Sequence, residues 1–225
     1  MILKSYETSK IDLKINNLVL FYGQNQGAKE EKISKILEVN KDKSLNRYDE
    51  KEILENTEIF YENILSESLF EDEKIILINR ATDKIVRIIE EVIEKDISKI
   101  SILINSNILE KRSKLRSIFE KDKKLVCIPF YPDSPETLSK LSYNYFKENK
   151  VVISQENINL IVNRCNGDRG VLKNELEKIK FLSQSKKKLL TEDLLKISNL
   201  IENHGITELV DNCLAKNQRK IISIM

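Results

Sequence analysis

The sequence predicts an α/β protein in which a buried parallel sheet is followed by a small all-helical region. Three observations carry that reading. Four short apolar runs occur before residue 130, helical patterns lie between them, and the character of the chain changes after a cluster of prolines. The 225 residues leave room for one large domain or two small ones.

The four runs are Leu18-Val19-Leu20-Phe21-Tyr22, Ile75-Ile76-Leu77-Ile78, Ile100-Ser101-Ile102-Leu103-Ile104 and Leu125-Val126-Cys127-Ile128. Each is short and apolar at successive positions, as a strand covered on both faces requires. Leu45-Asn46-Arg47-Tyr48 is a weaker strand candidate. Between them, Ala28 to Val39 places Ile33, Ile36 and Leu37 on one helical face. Asp83 to Lys95 does the same with Ile85, Ile88, Ile89, Val92 and Ile93, and Arg112 to Lys121 with Leu115, Ile118 and Phe119. This alternation predicts βαβ units and a doubly wound sheet.

Pro129, Pro132 and Pro135 are the only prolines and mark a linker. Beyond them the pattern is helical. One helix opens at Ser134 or Pro135 and runs to about Asn149, and Ser154 caps a second. Asp168 caps a third, to about Leu182. Thr191-Glu192-Asp193 opens a fourth, and Ile206 to Ala215 reads as a fifth. The sequence stops within the apolar pattern Ile221-Ile222-Ser223-Ile224, which reads as a truncated helix.

Composition excludes several classes. Lys and Arg total 38 against 36 Asp and Glu, so no overall field attracts nucleic acid, and any such role rests on a local patch. Cys127, Cys165 and Cys213 are widely spaced and His204 is the only histidine, which argues against a disulfide framework, a metal site or histidine-based catalysis. No run approaches the ~18 apolar residues of a membrane span, and the charged N-terminal segment has no signal-peptide core. A cytoplasmic location is expected.

The loop after the first strand is where P-loop enzymes hold phosphate. Their motif supplies glycines for backbone approach, a lysine against the phosphates and a hydroxyl for Mg²⁺. Here Gly23 and Gly27 stand one residue too close, Ala28 follows Gly27, and Lys29 precedes Glu30 and Glu31 rather than a hydroxyl. The loop Gly23, Gly27, Lys29 is therefore a degenerate nucleotide loop, not expected to bind. The strand ends Asn79-Arg80 and Asn105-Ser106 lack the paired carboxylates that hold a metal. No catalytic residue, cofactor or metal is expected.

Leu20-Phe21-Tyr22-Gly23, an acidic helix ending in Ser68-Leu69-Phe70, and Cys165-Asn166-Gly167-Asp168-Arg169 leading into Leu172-Lys173-Asn174-Glu175-Leu176-Glu177-Lys178 occur in one order. In that order and spacing the chain resembles the delta subunit of bacterial DNA polymerase III, a clamp-loader subunit. The resemblance implies an AAA+-like α/β domain over 1–131, a helical lid over 135–202 and the start of a truncated helical collar over 205–225. It implies a subunit without intrinsic ATPase or polymerase activity, working within the DNA-directed DNA polymerase holoenzyme, a nucleotidyltransferase. Its partners would be the sliding clamp (beta subunit), which it opens, the tau/gamma motor subunits, the delta-prime subunit, and primed DNA within the assembly. Ser68, Leu69 and Phe70 match the family's clamp-binding element. From Asp49 to Glu73 ten carboxylates face one base, Lys51, so a Leu-Phe pair ending such a segment suits an exposed apolar plug. Burial of the same pair before the Ile75 strand is the other reading. Where AAA+ lids often carry an ATP-touching arginine, this chain has Gly170, with Arg169 one residue early.

Seven bases between Lys111 and Lys124, among them Lys111, Arg112, Lys114 and Arg116, form a basic helix suited to DNA phosphates or simply to solvent. Two other functions stay open on the sequence: a divergent AAA+ ATPase using Lys29, and a nucleic-acid-binding module using this helix.

Overall fold

The computed structural model describes residues 1–65, 73–95, 99–185, 189–197, 206–218 and 221. The chain divides into two compact units, Met1–Pro132 and Asp133–Met225.

The first unit is built on five parallel strands: β1 (Leu18–Gly23), β2 (Ser44–Asp49), β3 (Lys74–Ala81), β4 (Ile100–Ser106) and β5 (Val126–Phe130), in the order β2-β3-β4-β1-β5. The runs predicted as strands are strands, and the weaker Leu45–Tyr48 candidate is the edge strand β2. Their two-sided apolarity is explained by the layers. On one face Leu20, Tyr22, Ile76, Ile78, Ile102, Ile104 and Cys127 pack against helices; on the other Val19, Phe21, Ile75, Leu77, Leu103, Val126 and Ile128 do so. Each Ile or Leu side chain removed from water in this way contributes about 1.5–3 kcal/mol before entropy is counted.

Helix α1 (Gln26–Val39) lies on the second face, where Ala28 and Ile33 are buried. The first face takes α2 (Glu50–Glu55), α3 (Thr57–Leu65), α4 (Val86–Ile93) and α5 (Lys114–Lys121), through Ile53, Phe60, Ile64, Ile88, Ile89, Val92, Leu115 and Phe119. Two of these helices differ from the periodicity. The pattern from Asp83 divides into a short 3₁₀ turn, Asp83–Ile85, and α4. The basic stretch is helical only over Lys114–Lys121, because Ser113 caps α5 through the Arg116 amide and the Asp122 backbone is already extended. Lys111 and Arg112 therefore precede the helix, and Lys123 and Lys124 follow it. The acidic segment also breaks, at Asn56, where the Thr57 hydroxyl donates back to the Ile53 carbonyl.

Two carboxylates in this unit are structural. Glu50, nearly buried, accepts from the Thr82 backbone N–H at 2.7 Å and from its hydroxyl, tying α2 to the end of β3. Asp83 accepts from the Ser113 hydroxyl at 2.6 Å and from the Leu115 and Lys114 backbone amides at 3.0 and 3.1 Å, so it caps α5 from another element. The outer edge of β5 is covered by main chain: Cys127 N–H donates to the Met1 carbonyl, and Leu3 N–H donates to the Cys127 carbonyl.

The second unit contains α6 (Pro135–Glu148), α7 (Gln155–Arg164), α8 (Arg169–Ser185), α9 (Thr191–Ile197) and α10 (Ile206–Leu214). Ser134 caps α6 through the Thr137 amide, Ser154 caps α7 through the Asn157 amide, and Asp168 accepts from the Gly170 and Val171 amides at the start of α8. The Ser154 and Asp168 caps follow from the sequence, and of Ser134 and Pro135 it is Ser134 that caps its helix. The core of this unit gathers Leu138, Phe146, Ile158, Ile161, Leu172, Leu176, Ile179 and Leu194. Among the described residues no helix is long and apolar enough to cross a membrane.

Burial opposes the charge of Asp83, but its hydrogen bonds from Ser113, Leu115 and Lys114 outweigh that, and its pKa lies below the ordinary 3.8. The stabilisation is therefore complete above that ordinary value and disappears as pH falls through the depressed native one. Asp83→Asn is expected to cost about 1 kcal/mol at pH 7, with the gap to the parent narrowing by pH 3 in urea unfolding.

Candidate functional site

In an open α/β sheet the strands' carboxyl ends form the crevice where ligands sit. Here that edge carries the loop Gly23 to Lys29. Gly23 leaves β1 with φ +129°, a conformation open mainly to glycine, and a Cβ built on it would lie 2.1 Å from the Phe130 carbonyl oxygen. The ends of β1 and β5 thus approach too closely for any side chain. Gly23 N–H donates to the Asn107 carbonyl, which ties the same turn to the loop after β4.

The first turn of α1 is satisfied from within. Asn25, 2 % exposed, accepts from the Ala28 amide at 3.1 Å through its side-chain oxygen and donates to the Tyr131 carbonyl at 3.2 Å through its side-chain nitrogen. The Gln26 amide donates to the Gln24 carbonyl. Backbone donors that would wrap a phosphate in a P-loop are therefore partly engaged by the chain's own groups.

Lys29 is fully buried, and its ammonium donates to the Ser106 carbonyl at the end of β4, 2.5 Å away. Lys29, in sequence a member of the degenerate loop, turns its side chain down into the sheet edge. An ammonium taken out of water is tolerated only with such partners. Beside it, the Asn105 side-chain oxygen and the Ser106 hydroxyl are buried without a hydrogen-bond partner, while the Asn105 amide nitrogen donates to the Asn79 oxygen at 3.2 Å.

A polar cavity of about 270 Å³ opens over these strand ends, lined by Gln26, Asp49, Asn79, Arg80, Asn105 and Asn107. Arg80 reaches it through a bulge in β3 where its φ is +57°, and its guanidinium pairs with Asp49. The single carboxylate in the cavity thus already has a cation. Among the described residues no group of three or more His, Cys, Asp or Glu side chains is placed to hold a metal. Burial pushes the thiols of Cys127 and Cys165 up to about 12, so both remain protonated and inert.

The four basic candidates do not act alike. Arg116 is held in the fold: it donates to Glu120 at 2.8 Å and to the Leu109 carbonyl at 3.2 Å, and lies 5.1 Å from the centre of the Tyr22 ring. Arg112 pairs with Glu110 at 2.8 Å on the surface. Lys111 and Lys114 are exposed near the start of α5. The expected basic helix is thus two exposed clusters at either end of a short helix, with Arg116 serving the packing between them. Ser68, Leu69 and Phe70 lie outside the described residues. In the second unit Arg169 forms a two-bond fork with Asp133, at 2.6 and 3.0 Å, and Gly170 occupies the second position of α8.

No family model matches this sequence, and no curated protein does. Solved structures do. The Bacillus subtilis DNA clamp loader delta protein aligns over 98% of this chain and 70% of its own, with 14% identity and a TM-score of 0.50. Domain III of the Thermotoga maritima replication initiation protein DnaA aligns over 86% of this chain and 87% of its own, with 15% identity and a TM-score of 0.54. The Thermotoga maritima RuvB Holliday junction branch migration motor aligns over 87% of this chain and 65% of its own, with 13% identity and a TM-score of 0.56. The chain therefore has an AAA+-like fold, shared with proteins that handle DNA in replication and branch migration.

The buried lysine yields a direct test. Lys29→Met keeps the length but leaves the Ser106 carbonyl without its donor, and the unfolding free energy is expected to fall by about 1–3 kcal/mol. A gain in stability would show that the ammonium is a burden on the sheet edge. Gly23→Ala, which drives a Cβ into Phe130, is expected to cost about 3 kcal/mol or more, read as a lowered Tm.

Proposed function

We propose that this chain is a delta-type clamp-loader subunit, a protein-binding arm rather than a motor. In this reading it binds a ring-shaped sliding clamp and opens one interface, so that related motor subunits load the ring onto primed DNA in the cytoplasm. The observation that carries the reading is the state of the loop after β1. The fold is one that elsewhere surrounds a nucleotide, yet Asn25 caps the Ala28 amide of α1 and Lys29 bonds to Ser106, so two of the groups that would grip phosphate are committed to the fold. The likeness over nearly the whole chain to a clamp loader delta protein supports it, at the level of fold.

The clamp contact is assigned to Ser68, Leu69 and Phe70 by resemblance. The segment leading to them supports an exposed role: α2 and α3 present Glu52, Glu55, Glu58 and Glu62 to solvent with Leu54 and Ile59 between them. A Leu-Phe pair that follows such a carboxylate-rich stretch in the sequence suits insertion into a partner's pocket. Lys111, Arg112 and Lys114 are available for DNA phosphates within an assembly, whereas Arg116 is committed to Tyr22 and Glu120.

Calorimetric titration against the cognate sliding clamp tests the assignment. The parent chain is expected to bind, and Leu69→Ala with Phe70→Ala to weaken binding at least about tenfold with an unchanged Tm. Unchanged affinity in the double variant would remove these residues from the contact. A Tm raised by Mg²⁺-ATP would place the chain with the motors instead, and DNA binding alone with a steep salt dependence would favour the nucleic-acid module.

A further inference from the structure

A second depression, of about 460 Å³, shares Asn107 with the cavity over the strand ends and lies between the turn after β3 and the loop before α5. Thr82, Lys84, Ile108, Leu109 and Arg112 also line it. Its apolar part is open to water, since Ile108 is 60 % exposed. Its rim is cationic: Lys84 lines it, and Lys111 and Lys114 are exposed beside Arg112 and Ser113. Among the described residues the ammonium groups of Lys84 and Lys111 have no ion pair or hydrogen bond, whereas Arg112 is held by Glu110. Lys111, Arg112 and Lys114 stand at the amino end of α5, where the helix dipole is itself positive and disfavours cations. An apolar side chain ringed by cations in that place suits an occupant that is both acidic and apolar.

The same unit carries a surface of that kind on α2 and α3. Leu54 is 39 % exposed and Ile59 55 %, and they stand among Glu55, Glu58 and Glu62. Glu55 faces Lys51 at 3.6 Å, but the carboxylates of Glu58 and Glu62 have no ion pair or hydrogen bond among the described residues. They do not reach the bases at the start of α5 in their own chain. Helix α2 packs on β2 and β3 and α5 on β5, and β2 and β5 are opposite edges of the sheet, about 19 Å apart at the usual strand spacing.

We propose that the depression receives the α2–α3 face of a second copy of this chain, in a head-to-tail contact. Leu54 and Ile59 of one copy cover Ile108 of the other, while Glu58 and Glu62 meet Lys84, Lys111 and Lys114. Complementarity selects the second copy: each surface presents apolar side chains ringed by charge, and the two rings have opposite sign. Because the two surfaces differ, every added copy leaves one of each kind free, and the series stays open unless it closes into a ring. Exposed ion pairs are individually weak and are screened by salt, so the contact is weak and salt-sensitive. It goes beyond the clamp-binding reading and uses no part of residues 68–70.

Sedimentation velocity of the full chain over a concentration series tests this. Species larger than one chain are expected to grow with concentration at about 0.05 M salt and to fall away at about 0.5 M, where charges are screened over a few ångströms. Two triple variants at exposed positions separate the surfaces: Ile108→Ser with Lys111→Gln and Lys114→Gln, and Ile59→Ser with Glu58→Gln and Glu62→Gln. Each alone is expected to sediment as a single chain, with a Tm near the parent's. Their equimolar mixture is expected to give two-chain complexes and nothing larger, because each variant keeps the surface that the other has lost. A parent that remains a single chain at about 0.2 mM in low salt overturns the proposal. So does a variant that still associates, or a mixture that does not. Association of the parent only when an oligonucleotide is added gives the cationic surface to nucleic acid and overturns it as well. Clamp binding is read separately by calorimetry, so the two readings fail independently.

Discussion

Strand β1 is hydrogen-bonded on both sides, to β4 and β5, and buried on both faces. A strand so enclosed has one exit, at the carboxyl edge of the sheet, and the chain must turn there against the ends of its neighbours. The contact between Gly23 and the Phe130 carbonyl records how little space is left. Everything that distinguishes this loop follows from that crowding. The turn has to be glycine, the next helix has to begin almost at once, and the first polar groups of α1 meet the ends of β4 and β5 rather than open solvent.

In that position the sheet edge offers acceptors, and Lys29 and Asn25 take them. The Ser106 carbonyl binds the ammonium and the Tyr131 carbonyl binds the Asn25 amide, so the loop is stitched to two strands by side chains. Such bonds compete with ligand binding, because a donor already engaged in a buried bond is released only at the cost of leaving its acceptor unsatisfied. The Arg80 and Asp49 pair works in the same direction across the cavity, neutralising the one carboxylate there. The site is consequently a polar, internally bonded edge.

Charge is used unevenly in the rest of the molecule. Glu50 and Asp83 are absorbed by the frame, one tying α2 to β3 and the other capping α5, while Glu58 and Glu62 remain exposed on α3. Arg116 is likewise absorbed by Tyr22 and Glu120. In the second unit the Arg169 and Asp133 fork is complete on both sides, whereas the Glu175 and Lys178 bridge leaves one oxygen unmet. A residue's charge therefore indicates little about its role until its neighbours are known; exposure and the completeness of its hydrogen bonds separate frame from surface.

Much of this was legible in the residues alone. The strands declared themselves because a parallel strand must be apolar on both faces. Ser134, Ser154 and Asp168 announced helix starts because a short polar side chain satisfies amides that the helix leaves open. The departure of Gly23 to Glu31 from a phosphate-binding loop was also visible, since each missing residue has a chemical task. Local periodicity could not show that the acidic segment breaks at Asn56, that the basic stretch is helical only from Lys114, or that Lys29 is buried against a carbonyl 77 residues away. It also could not order the strands, with β4 set between β3 and β1. The sequence by itself determined which segments are strands and helices and which residues of a phosphate-binding motif the first loop departs from, because those depend on residue type and spacing over a few turns. Only the tertiary structure decided which charges are committed to the frame, because that depends on what distant strands and helices bring within hydrogen-bond reach.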